Sequence, residues 1–375
     1  MAGGMGSRLG TWAVLVLCWT TALTCAVPVG PGGPGPGPKP GKPEKPLVRK
    51  EWRTLSTPEK RSYITAVKCL LAKPSQTTPF NTTGTFSRYD DLVYTHIQQT
   101  FQMHYTGHFL AWHRYFTAVY ESLLRDECGY TGAQPYWDWT LDAVSPAAYV
   151  ASPVFDPVTG FGGNGPWVET APDDPFNVPG RTGGGCVSDG PFAGADDLVH
   201  LGPGDSVAYN PQCLRRDLSP SFASRWLSLD QTRLTLSQGD FGWFSRVVEG
   251  MPSFDASGIH GGGHYGVGGR WGQMGDLYAS PCDPIFFLHH ANLDRVWWSW
   301  QKMDLKKRLT DISGPIELMD YGNEKTGNVT LAFPVSMGGP TTAADVTVGD
   351  LMDIKACGKG GKGVLCYDYD RVYTL

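Results

Sequence analysis

The sequence is poor in charge and contains no long basic stretch: 18% of its 375 residues are charged, with 31 Lys and Arg against 36 Asp and Glu and a formal charge of −5. That balance offers no electrostatic footprint for a nucleic-acid partner. No apolar run reaches the ~20 residues that a membrane-spanning helix requires. The nearest approach, Trp12 to Leu23, has 12 residues. Arg8 precedes it and the small-residue site Thr24-Cys25-Ala26 follows, so it reads as a secretory signal spanning residues 1–26. There is no repeat of fixed period and no Gly-X-Y register, which excludes a solenoid or a collagen-like rod. What is abundant is Gly (48), Pro (29) and aromatic residues (13 Trp, 16 Tyr, 16 Phe). That much aromatic surface belongs to a loop-rich globular domain rather than a disordered chain.

A cleaved signal implies a secreted, extracellular protein without a membrane partner, folded where disulfides form. Its removal takes Cys18 and Cys25 and leaves seven cysteines, Cys69, Cys128, Cys186, Cys213, Cys282, Cys357 and Cys366. An odd number predicts at least one thiol outside the intramolecular bridges, and the counting leaves every pairing open. Two sequons mark Asn81 and Asn328 as glycosylation candidates. Residues 27–47 form a linker or tail: from Pro28 to Pro46, 8 Pro and 6 Gly occupy 14 of 19 positions, a composition that cannot repay its ordering entropy. Residues 48–375 are expected to be one domain, with ordered structure starting near Trp52.

Ser56-Thr-Pro-Glu59 signals a helix start ahead of Tyr63, Ile64, Val67, Leu70 and Leu71. A second helix carries Tyr89, Leu92, Val93 and Ile97, and a third Phe109, Leu110, Phe116, Tyr120, Leu123 and Leu124. From Ser145 to about Ser245 the chain reads as long packed loops. One more helix is expected from about Ile285 to Met303, followed by a mixed region with a few short strands.

The nine histidines carry the chemistry. Eight fall in two clusters, His96, His104, His108 and His113, then His260, His264, His289 and His290; only His200 stands apart. On a helix a solvated histidine belongs on the polar face. His96 instead follows Leu92 and Val93 on the apolar stripe, and His113 lies between Phe109 and Phe116. His260 and His264 differ by four and share a helix face, close enough for one ion. Gly261, Gly262 and Gly263 between them are poor helix formers, so metal and packing must hold any helix there. His289 and His290 diverge by about 100°. His290 lies on the stripe of Phe286, Leu293 and Trp297 and is the expected ligand, with Asp294 at i+4 as its supporting partner, while His289 lines the pocket. A lone interior histidine is usually a hydrogen-bonded core residue, and that suffices for His108 and His200. Six buried imidazoles in apolar faces are another matter, since a metal satisfies them together. All-histidine sites without thiolate or carboxylate suit copper better than structural zinc.

The stretches His104-Tyr-Thr-Gly-His-Phe-Leu-Ala-Trp-His113-Arg and Asp283-Pro-Ile-Phe-Phe-Leu-His-His290-Ala-Asn-Leu-Asp294-Arg resemble the two copper-binding motifs of the tyrosinase and catechol oxidase family. Gln134-Pro-Tyr-Trp-Asp-Trp139 and Tyr367-Asp-Tyr369 fit the same family, and the resemblance runs from about Trp52 to Tyr369. It is nearest in kind to the short secreted polyphenol oxidases of filamentous fungi. It implies a mainly α fold: an antiparallel four-helix bundle holding a dinuclear, type 3 copper site, with long loops and a few short strands. His96, His104 and His113 would hold the first copper, and His260, His264 and His290 the second. The reaction implied is oxidation of a phenolic small molecule, an o-diphenol, to an o-quinone with reduction of dioxygen to water.

Departures from the family pattern sharpen this. Members that hydroxylate monophenols often carry Asn directly after the first histidine of the second copper, acting with an upstream Glu on the phenol proton. Here that position is Gly261, and Glu249 is the candidate acid. Tyr265, after the second histidine, is placed to narrow the substrate pocket. The expectation is diphenol oxidation well above monophenol hydroxylation. Many fungal members have a cysteine two residues before the second histidine, bonded to a histidine as a thioether; Gln102 stands here, so no such link forms. The chain ends at Leu375 without a shielding domain, so activation by proteolysis of that kind is not expected. Cys282, beside the Asp283-Pro284 turn, is the expected free thiol. Three alternatives remain: a tyrosinase with monophenolase activity, an oxidase of o-aminophenols or other substituted phenols, and a hemocyanin-like oxygen carrier. A zinc hydrolase built on His260 and His264 is disfavoured because Gly261 replaces its general-base Glu.

Overall fold

The computed structural model describes residues 45–77, 84–194, 198–358 and 363–375. The signal and nearly all of the Pro/Gly tail lie outside these residues, as does Asn81. Asn328 is exposed.

The architecture is mainly helical. In chain order it comprises β1 (Leu47–Arg49), α1 (Thr57–Ala72), α2 (Arg88–Met103), α3 (Phe109–Cys128), α4 (Pro146–Val150), α5 (Pro220–Trp226), α6 (Leu229–Leu236), α7 (Phe241–Glu249), α8 (Ile259–Gly268), α9 (Ile285–Lys302), α10 (Leu305–Arg308), β2 (Pro334–Val335), β3 (Val346–Thr347), α11 (Val348–Leu351) and β4 (Tyr367–Tyr369). The helices expected from periodicity are present. Ser56 and Glu59 close a capping box on α1, and Ser87 and Asp90 do the same for α2, so both starts satisfy their first amides locally. Gly129 ends α3 in the left-handed conformation at φ 67°.

Two expectations are corrected. Order begins before Trp52: β1 pairs in parallel with β4, Leu47 opposite Tyr367 and Arg49 opposite Tyr369. A three-residue strand whose partner lies some 320 positions away leaves no local pattern to read. Besides the five-residue α4, the stretch read as loops holds α5, α6 and the start of α7, each of these three begun by Pro or by a Ser or Asp cap. These helices have 7, 8 and 9 residues, too short for the periodic pattern to emerge from flanking Gly and Pro.

The copper-motif helices form the centre. α3 packs on α1, α2 and α9, and α8 lies across α9 and against α5 and α7. Every residue of α9 from Ile285 to Gln301 is buried. Such a helix is enclosed on all sides rather than amphipathic, so its charged groups need internal partners. Arg295 finds Asp138 at 2.9 Å. Asp294 sits between Arg114 (2.5 Å) and Arg49 (3.4 Å). Disulfides join Cys69 to Cys128, Cys186 to Cys213 and Cys357 to Cys366, leaving Cys282 free and buried.

Candidate metal centre

Four helices deliver six histidines to one buried space. His96 is on α2, His104 is the residue that ends α2, and His113 is on α3; His260 and His264 are on α8 and His290 is on α9. All six are at most 9% exposed. Within each triad, one ring nitrogen from each histidine lies within 4.8 Å of the other two. The triads face one another: the rings of His113 and His290 stack with centroids 4.4 Å apart, and those of His104 and His260 at 5.7 Å.

Hydrogen bonds decide which nitrogen faces inward. His96 Nδ1 lies 2.6 Å from the Tyr278 carbonyl, His104 Nδ1 2.9 Å from that of Thr100, His113 Nδ1 2.9 Å from that of Phe109 and His264 Nδ1 2.9 Å from that of Met274. A carbonyl only accepts, so Nδ1 carries the proton and Nε2 presents a bare lone pair. The Nε2 atoms of His96, His113 and His260 are buried and without a hydrogen-bond partner. His264 Nε2 and His290 Nε2 stand 3.1 Å apart, close to the ~3.3 Å between two nitrogens sharing one tetrahedral ion. Burial, reinforced by neighbouring imidazoles, pushes His96, His113, His260 and His290 well below 6.5, while burial takes His104 to about 3 and His264 to about 4. All six are therefore neutral near pH 7, as metal binding requires. Orphaned lone pairs converging in a dry interior fit a pair of soft-to-borderline cations and no carboxylate-loving one.

Comparison with known proteins agrees with this geometry. Residues 86–303 match the common central domain of tyrosinase. The chain belongs to the tyrosinase family. A tyrosinase-like protein of Diaporthe leptostromiformis is 36% identical over 370 residues, covering 96% of this chain and 87% of its own. Tyrosinase P of Aspergillus terreus is 34% identical, covering 79% of this chain and 86% of its own. Among solved structures, a variant of polyphenol oxidase from Thermothelomyces thermophila is 38% identical, with a TM-score of 0.73 over 87% of this chain and 89% of that one. The protein is thus a copper oxidoreductase of this family, which holds a dinuclear type 3 copper site and acts on phenols with dioxygen; the two histidine triads fit that site.

The other residues singled out in this tyrosinase-family chain are placed as follows. Gly261 and Tyr265 line a cavity of about 30 Å³ beside His104, His260 and His264, together with Leu277 and Ser280. His289 does not line it. Its ring is fully buried behind α8, donating from Nε2 to the His260 carbonyl at 3.0 Å and filling the space in which a Cβ on Gly263 would stand. The ~100° turn between adjacent helical residues accounts for this: with His290 facing the site, His289 faces the underside of α8. Asp294 makes no hydrogen bond to His290. Its oxygens are taken from other elements, Oδ1 by Arg114 and Oδ2 by Arg49, Tyr367 (2.7 Å) and Tyr369 (2.5 Å).

Glu249 ends α7, and its Oε1 accepts from the Tyr105 amide at 2.7 Å, fixing the peptide directly after His104. It lines a cavity of about 240 Å³ with Arg246 and Tyr321, not the one that holds Gly261. Burial holds its carboxyl well above the usual range, the Tyr105 amide opposing. Sequence reasoning missed the Met274 and Tyr278 carbonyls that orient His264 and His96. Any residue type supplies a carbonyl, so no sequence signal marks them.

Proposed function

We propose that the protein is a secreted catechol oxidase, taking o-diphenols to o-quinones with little hydroxylation of monophenols. Two diphenols lose four electrons and four protons in all, and one dioxygen accepts them to become two waters. In this reading His96, His104 and His113 hold one copper and His260, His264 and His290 the other, each through a bare ring nitrogen. The pair, when bound, supplies the electron transfer between phenol and dioxygen. The protein's share is to hold the six nitrogens rigidly through backbone carbonyls and to admit the ring past Gly261 and Tyr265. The space over the histidines is small, about 30 Å³, and the Tyr265 ring beside it packs on Phe222 and Phe254.

The observation that carries the preference for diphenols is the lack of a free base in that wall, whose one carboxylate, Asp276, is engaged by the Tyr278, Ala279 and Gly204 amides. A catechol needs only oxidation, whereas a monophenol must first surrender its proton to a group within reach. Gly261 has no side chain, and Glu249 is tied to the Tyr105 amide in the wall of a different cavity. The signal reading and the three disulfides support secretion.

Dioxygen uptake by the copper-loaded protein is expected with a catechol and nearly absent with the matching monophenol. Gly261→Asn is expected to raise the monophenol rate relative to the catechol rate. A Cβ at 261 runs into Ser257 Oγ, so the same substitution is made in a Ser257→Ala background. If both variants keep their copper and the ratio does not move, the argument from the missing base is wrong.

A further inference from the structure

A second cavity of about 470 Å³ abuts the space over the histidines, and the two share Gly275 and Asp276 in their walls. Its wall carries the N–H groups of Arg215, Arg270 and Trp271 beside the acceptors of Gln212, Gln273 and Asp276. Arg215 Nε and Trp271 Nε1 are buried there without a hydrogen-bond partner. Among the described residues, the Arg215 guanidinium has no carboxylate within salt-bridge distance. Arg270 bonds Asp174 through Nε at 2.7 Å, leaving its remaining N–H groups over the rings of Trp271 (4.4 Å) and Phe176 (5.4 Å).

The acceptors present are already engaged. Asp276 takes the Tyr278, Ala279 and Gly204 amides at 2.8, 3.0 and 2.7 Å. Gln273 Oε1 takes the Arg215 amide at 2.6 Å. A cavity lined by a guanidinium without a carboxylate partner, its side-chain acceptors already engaged, is complementary to an oxyanion.

We propose that this cavity binds a carboxylate or similar oxyanion, and that Arg215 thereby selects phenols whose ring substituent ends in an acid. The selection of substrate rests on the oxidase reading above; the binding of an oxyanion does not. With the ring over the histidines, a short side chain passes Gly275 and places its carboxylate between Arg215 and Arg270. The exposed ring of Phe176, 64% accessible at the rim, covers the aliphatic part. A planar guanidinium grips a carboxylate by two parallel N–H groups, which a lysine cannot do.

Two measurements on the copper-loaded full chain test this. The first compares kcat/KM for dihydrocaffeate and for its uncharged methyl ester. The acid is expected to be preferred roughly tenfold or more, and the preference to collapse in Arg215→Leu and to survive in part in Arg215→Lys. Since the Arg215 side chain makes no hydrogen bond or ion pair among the described residues, melting temperature and copper content are expected to follow the parent. The second titrates hydrocinnamate, which has a carboxylate and no phenol, into parent and Arg215→Leu protein by calorimetry. Binding that Arg215→Leu abolishes supports the cavity even if no catechol is oxidised, an outcome that sinks only the oxidase reading. Displacement of hydrocinnamate by inorganic sulfate identifies a free oxyanion as the occupant, and resistance to sulfate identifies the substrate's own acid. Equal turnover of acid and ester together with no hydrocinnamate binding overturns the inference.

Discussion

At the scale of single residues, the histidines show how far spacing carries. Those at helical positions on apolar stripes, His96, His113, His260, His264 and His290, turn inward as their neighbours require. His104 stands just past the end of α2 and reaches the site because Tyr105 takes φ 53° and Glu249 holds its amide, neither of which periodicity reveals. Asp294 and His289 were placed by their distance from His290 along the chain, and both answer to groups from other elements instead. His289 also explains Gly263. An added methyl would penetrate the imidazole ring, which cannot move away because it is fully buried and bonded to the His260 carbonyl. Gly263→Ala is therefore expected to destabilise the protein by about 1–3 kcal/mol, the usual cost of overpacking, as read by chemical denaturation. A neutral result shows that α8 shifts to make room.

At the scale of elements, α8 is the weakest helix by composition and the most demanding by function. It has no side-chain cap, and five of its ten residues from Ile259 to Gly268 are glycine, each costing about 1 kcal/mol relative to alanine. It persists because glycines allow backbone approach: a Cβ on Gly262 meets Trp226 and Leu227, and one on Gly266 meets the Tyr149 hydroxyl and Ala223. Close packing on α5 and α9 stands in for intrinsic propensity. In the proposed site copper would join α8 to α9 through His260, His264 and His290, so stripping the metal with a chelator is expected to raise amide exchange in α8 well before it does so in the capped helices α1 and α2. Uniform exchange across all three helices removes the special role assigned to the metal.

For the molecule as a whole, six neutral imidazoles and His289 in one interior set a dependence on pH. Folding lowers their proton affinity, so the unfolded chain binds more protons below pH ~6.5 and stability rises with pH. The copper-free protein is expected to lose stability steadily as pH falls below 6.5, the value of a free imidazole, through His264 at about 4 and on to His104 at about 3. Urea unfolding at several pH values checks this, and a flat profile contradicts the assigned neutral state. Copper competes with the same protons, so metal release is expected over the same range. Legible along the chain are the helices that carry His96, His113 and His290, the inward face of most ligands, an odd cysteine left over and the likeness to the tyrosinase family. All of these follow from short-range periodicity, counting or contiguous motifs. Tertiary structure alone decided that β1 joins the far end of the chain, that Asp294 serves Arg49 and Arg114, that Glu249 braces Tyr105, and that Arg215 faces a cavity beside the histidines. Each of these depends on groups brought together from distant positions by burial, and a linear pattern records only what neighbours along the chain impose on one another.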